Sequence, residues 1–188
     1  MALRDGIYLA RQWGGDLQPL AAAPYDTAKL RFNDGKCDAQ GRFWAGSLYE
    51  PKDQALGVLY MLDGQGLHAM MDSVVTANGL AWSPDGRTAY WADTAAHQIR
   101  AFDFDATSGQ LTNARVFYQA APKPAGWTWG DAAAPSYGGR PDGAAVDLEG
   151  DPGLRAAGLP IVRAQRAEHG VVEASQDAVF VEGRDGFE

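Results

Sequence analysis

The sequence predicts an all-β protein, and more narrowly a segment of a β-propeller. Three observations carry this. Gly and Pro are abundant, 23 and 10 of 188 residues, and they separate short runs rich in the 6 Trp, 7 Tyr and 7 Phe. Such punctuation favours short strands and turns, and long helical patterns are missing until the last forty or so residues. A unit made of an acidic or amide residue, Gly, a short strand and a tight turn occurs three times, at Asn33-Asp34-Gly35, Asn78-Gly79 and Asp142-Gly143. The step from Gly35 to Gly79 is 44 residues, the length of a four-stranded blade.

The elements follow in order. Residues 6–11 and 17–22 form a hairpin around Gly14-Gly15-Asp16, half a blade. A complete blade is expected from strands at 35–38, 42–48, 57–62 and 67–74, the last pair joined by Asp63-Gly64-Gln65-Gly66. A second complete blade has strands at 79–82, 88–93, 98–103 and 111–118. The step to Gly143 is longer, 64 residues, because a Gly-, Pro- and Trp-rich loop at 122–140 intervenes. Loops of that length are commonly functional, so Trp127 and Trp129 are read either as a lid or as plain surface. After Asp142 one strand is expected. Pro152 and Pro160 spoil both strand and helix readings beyond it. The chain divides into a partial propeller at 1–150 and a divergent, unassignable tail at 151–188.

A propeller closes with about 4–8 blades, so this stretch reads as a segment of one. Its terminal sheet faces then lack partners, with unpaired edges at Gly6 and near Asp147. Impaired folding, solubility and activity of the chain alone are the expectation.

Composition limits function. Net charge is -8 and the isoelectric point about 4.8, which argues against nucleic acid or an anionic membrane as partner. No apolar run approaches a membrane span, no signal peptide is visible at the start, and a cytoplasmic address is the default. No protein partner is implied. The single Cys37 excludes an internal disulfide and a cysteine zinc cluster, and is read as a small buried hydrophobe. Trp44, Trp82, Trp91, Phe102 and Phe104 are assigned to packing between blades. Asp93 is read as capping backbone N–H groups. His68, His97 and His169 are given surface or packing roles.

In a propeller the innermost strands surround one channel, so Asn33, Asp34, Asn78 and Asp142 open toward a shared mouth. Oxygen donors from separate blades suit a hard cation such as calcium. The same Asx-Gly pairs are the commonest turn formers, and spacing alone favours the turn over the ligand.

The segment Arg31-Phe32-Asn33-Asp34-Gly35-Lys36, with Asp38 and Gly41-Arg42-Phe43-Trp44-Ala45-Gly46, resembles the signature of the senescence-marker-protein/regucalcin/gluconolactonase family. Asn78-Gly79-Leu80-Ala81-Trp82-Ser83 and Arg140-Pro141-Asp142-Gly143, with Asp147-Leu148-Glu149-Gly150, resemble two further family motifs in the same order. The resemblance runs from about Gly6 to Gly150. It implies a six-bladed propeller and metal-dependent opening of a sugar lactone. It places metal ligands at Asn78 and Asp142, with a third, a Glu, in a blade expected before Met1. It places substrate contacts at Arg31 and Asn33, with Glu50 near a carboxylate that touches sugar hydroxyls. Asp142 is the candidate general base. One divalent cation is implied, calcium first, with zinc, magnesium or manganese as alternatives. The alternatives to a lactonase are a non-catalytic calcium- or ligand-binding propeller and an inactive truncated product.

Overall fold

The computed structural model describes residues 1–127, 137 and 139–146, together with the backbone of three later strands. The first sheet holds β1 (Ala2–Leu3), β2 (Gly6–Ala10) and β3 (Leu17–Ala22). The second holds β4 (Leu30–Cys37), β5 (Phe43–Tyr49), β6 (Gly57–Asp63) and β7 (Gly66–Val74). The third holds β8 (Ala77–Trp82), β9 (Thr88–Asp93), β10 (Gln98–Phe104) and β11 (Leu111–Gln119). The fourth holds β12 (Pro141–Val146), β13 (Pro152–Ala156), β14 (Ile161–Arg166) and β15 (Val172–Ala178). Every pairing is antiparallel and sequential, so each sheet is a meander.

The sheets stack through apolar faces, because a twisted sheet must bury at least one face against a neighbour. Ile7 of the first sheet packs with Phe32, Ala45 and Tyr60 of the second. The second and third share the largest cluster, in which Trp44, Leu59 and Met61 meet Leu80, Trp91, Phe102 and Phe104. Trp44, Trp82 and Phe104 meet there at ring-centroid distances of 5.9 to 6.0 Å, edge-on or tilted. The third and fourth share Tyr90, Ala92, Ile99 and Ala101 with Ala144 and Val146. The aromatic packing expected from the sequence is thus inter-blade packing. Strand β10 departs from simple alternation: Ile99, Ala101, Phe102 and Phe104 are all buried, since its two faces meet different sheets.

Strands β4, β8 and β12 lie side by side across the sheet boundaries and are the innermost strands. Close approach there needs glycine. A Cβ on Gly46 would strike Ala77, and one on Gly79 would strike the Asp142 carbonyl. Gly79 also has φ 41°, a conformation L side chains rarely adopt.

A polar clamp crosses the second boundary. Asp38 accepts from Arg42 Nε at 2.6 Å, Trp44 Nε1 at 2.9 Å and the Gln40 and Arg42 amides at 3.0 Å. Arg42 then donates to the Ala106 and Thr107 carbonyls of the third sheet. Its guanidinium lies 5.8 Å from the Phe104 ring centre.

Four expectations need correction. The fourth sheet has four strands where one was expected; Pro152 is the first residue of β13, a place where a strand tolerates proline. Gly6 is no edge: β2 is a middle strand, and Gly6 pairs with both Leu3 and Ala22. The two-residue β1 went unrecognised because it carries no periodicity. Cys37 is exposed, not buried. It ends β4, the edge strand of its sheet, and its neighbour Lys36 is exposed as well. Cys37 should therefore react with a chromogenic disulfide reagent in the folded protein, within about tenfold of its rate after unfolding. Complete protection until denaturation would contradict the exposed placement.

The first sheet carries exposed Leu3, Leu9, Leu17 and Leu20, and Trp13 stands fully exposed in its β2–β3 loop. Asp147, Trp129, Pro160 and His169 lie outside the described residues.

Candidate functional site

Each of the three innermost strands breaks register at its Asx-Gly unit. The shifts fall between Phe32 and Gly35, between Asn78 and Leu80, and between Pro141 and Ala144. Such irregularities re-aim side chains out of the ladder and often border functional sites. Here they gather Asn33, Asn78 and the start of β12 from three sheets onto one end of the inner strands.

Hydrogen bonds join these residues. Arg31 Nη1 donates to Asn33 Oδ1 at 2.9 Å and to the Phe32 carbonyl at 3.1 Å. Asn33 Nδ2 donates to the Ala77 carbonyl at 2.8 Å and to Asn78 Oδ1 at 3.0 Å. Asn78 Nδ2 donates to Thr94 Oγ1 at 2.9 Å, and the Thr94 hydroxyl donates to the Pro141 carbonyl at 2.7 Å. Asp34, by contrast, bonds the adjacent Gly35 amide at 2.8 Å, the local turn role that Asx residues ordinarily take.

Glu50 follows β5 and faces two arginines. Arg4 holds both its oxygens, Nη2 to Oε1 at 2.7 Å and Nη1 to Oε2 at 2.9 Å. Arg31 Nε lies 3.5 Å from Oε1. The Arg4 hydrogen bonds lower the Glu50 carboxyl from its ordinary value, with smaller contributions from the charges of Arg4, Arg31 and Lys52. A carboxyl lowered on folding contributes stability above its unfolded value and loses it as pH falls through the folded one. The Arg4–Glu50–Arg31 arrangement should therefore persist from neutrality to below the ordinary glutamate value and loosen as pH falls further. A carbon-13 titration of the Glu50 carboxyl with a midpoint at or above that of an unperturbed glutamate would contradict this.

The sequence-derived residues thus form one chain of contacts, Glu50–Arg31–Asn33–Asn78. Asp142 enters through its backbone, its carbonyl lying against Gly79. Two contributors escaped sequence reasoning. Arg4 precedes the first expected strand and carries no motif. Thr94 directly follows Asp93, but no repeat marks it.

Asp93 itself caps as expected, accepting from the Val75, Thr76, Ala95 and Ala96 amides. His97 packs: it is buried, and its Nε2 lies 3.0 Å from the Tyr137 hydroxyl. Tyr137 in turn stacks edge-on against Trp127 at 5.4 Å. His68 pairs with Asp63 in the β6–β7 hairpin.

As for a cation, Asn78 Oδ1 accepts one hydrogen bond and keeps a second lone pair, which fits it as a neutral oxygen ligand. Among the described residues no three His, Cys, Asp or Glu side chains cluster to hold a metal ion. The donors that fit are therefore a partial set.

A family model described as the SMP-30/gluconolactonase/LRE-like region matches residues 1–152. The chain belongs to this family. Over 151 residues it is 38% identical to the 6-deoxy-6-sulfogluconolactonase of Pseudomonas putida, covering 80% of this chain and 47% of that protein. A calcium-binding protein, regucalcin, from Agrobacterium tumefaciens superposes with a TM-score of 0.70 at 25% identity, covering 87% of this chain and 51% of that one. A luciferin-regenerating enzyme superposes with a TM-score of 0.75 at 22% identity, covering 93% and 57%, and shares the fold. This family member therefore spans about half the length of these relatives. Its four sheets are a segment of the family's propeller. Among the described residues no helix is long and apolar enough to cross a membrane.

Proposed function

We propose that the chain is part of a lactone hydrolase that opens a sugar lactone with the help of a divalent cation. The observation that carries this is the hydrogen-bonded set Arg31, Asn33 and Asn78, collected from two sheets at matching register breaks and continued to β12. The identity to a sulfogluconolactonase supports the substrate class. Sugar lactones present hydroxyls, a ring oxygen and an ester carbonyl, which a guanidinium and two amides can orient.

In this reading Arg31 and Asn33 orient substrate oxygens. Glu50 accepts from substrate hydroxyls and, with Arg4, fixes the Arg31 head. Asp142 removes the proton from the attacking water as general base. Asn78 and Asp142 hold the cation, calcium first among hard ions, with magnesium, manganese or zinc as alternatives. When bound, the cation supplies Lewis acidity toward the lactone carbonyl. The complete ligand set and full activity belong to the longer parent, and the chain alone is impaired.

Lactone opening releases a proton, so turnover is read by pH-indicator absorbance with and without chelator. Chelator-sensitive turnover by this chain or by an upstream-extended version supports the proposal. Cation binding without turnover in either would favour a non-catalytic ligand-binding propeller, the reading suggested by the calcium-binding relative. Arg31→Ala should lower kcat/KM about 10- to 100-fold, while melting stays within a few degrees. A melting loss without a kinetic change would make Arg31 a structural ion-pair partner instead.

A further inference from the structure

The hydrogen bonds among the site residues run in one direction, and both ends dictate it. Arginine has donors only, so the Asn33 atom facing Arg31 is Oδ1. Asn33 Nδ2 is then committed to Ala77 and Asn78 Oδ1, which turns Asn78 Nδ2 toward Thr94. At the far end the Pro141 carbonyl can only accept, so the Thr94 hydroxyl must donate to it. That leaves the Thr94 oxygen lone pairs for Asn78 Nδ2. Neither amide can flip without losing a bond on each side.

Thr94 is itself pinned. It is buried at 7% exposure, and its amide donates to the Thr76 carbonyl at 3.0 Å. The Asp93 carboxylate before it gathers four backbone amides around the same turn. The position of its hydroxyl is therefore set by the fold rather than by the site.

We propose that Thr94 is a positioning residue of this site. One hydroxyl fixes the orientation of the Asn78 amide, with Nδ2 on the Thr94 side and Oδ1, which keeps one spare lone pair, on the Asn33 side. The same hydroxyl holds the Pro141 carbonyl and so sets where β12 delivers Asp142. Its functional consequence rests on the cation reading above; the relay itself does not.

The test compares Thr94→Val, which keeps the shape and removes the hydroxyl, with Thr94→Ser, which restores it. The first readout is the side-chain amide NMR signals of Asn33 and Asn78, recorded without metal. In the parent chain the Asn78 Nδ2 protons should exchange more slowly than those of free asparagine. Thr94→Val should speed that exchange and shift both signals, and Thr94→Ser should return them. The second readout is calcium affinity by calorimetry, expected to fall about 10- to 100-fold in Thr94→Val and to recover in Thr94→Ser. Unchanged amide signals in Thr94→Val, or exchange in the parent chain as fast as in free asparagine, overturn the relay. Shifted amides with unchanged calcium affinity overturn the positioning role. The calorimetry is run on the upstream-extended version, which carries the complete ligand set; absence of calcium binding there overturns the cation reading and the positioning role with it, while the amide signals still decide the relay. Should Thr94→Val fail to fold, exchange in the parent chain and in Thr94→Ser still decides.

Discussion

Asp38→Ala is expected to be the most destabilising single change outside the apolar clusters, by about 3–5 kcal/mol. The Asp38 side chain is fully buried, and it satisfies the Arg42 guanidinium, the Trp44 indole and two backbone amides at once. Removing it strands a nearly buried cation and a buried indole N–H. The Arg42 bonds that cross between the second and third sheets also lose the anchor that holds the guanidinium in place. Melting should fall by roughly 10 °C for a chain of this size. Asp38→Asn keeps an acceptor and should cost less. Urea unfolding within about 0.5 kcal/mol of the parent would show that the clamp contributes little.

Asp142→Ala is expected to have the largest effect on chemistry. On the proposed roles it would remove the general base and an anionic ligand together, so metal-dependent turnover of the upstream-extended protein should fall by about 10²–10⁴-fold. Calcium affinity should fall in the same variant. On the same reading Asn78→Ala would remove only a neutral ligand and should weaken both less. Normal chelator-sensitive turnover in Asp142→Ala would move the site elsewhere.

Much of the fold was legible because blades are short and punctuated. The strands at 17–22 and 88–93 were placed to the residue, and most others to within one or two. The exception was the start of β4, which begins at Leu30 rather than near Gly35, because the register shift at Asn33-Asp34 interrupts the alternation that marks a strand. The strands after Val146 were missed because prolines and an Ala/Arg-rich composition hide alternation, although a meander needs only sequential pairing. At the site, Arg31, Asn33 and Asn78 were readable as motif residues. Thr94 and Arg4 were not, because their roles depend on atoms 47 and 46 residues away. Cys37 was misread because a position within a motif does not reveal which strand forms the sheet edge.

The bonds from Asn33 to the Ala77 carbonyl and from Thr94 to the Pro141 carbonyl each cross a seam between sheets. The site therefore belongs to no single sheet and exists only while three of them are docked. A ligand that needs it binds the docked array and not the separated pieces. Occupancy is then thermodynamically linked to cohesion of the array, worth about 2.7 kcal/mol at a ligand concentration 100 times Kd. Ligand would slow hydrogen exchange along β4, β8 and β12 together, and leave the outer strands β7 and β11 to open as before.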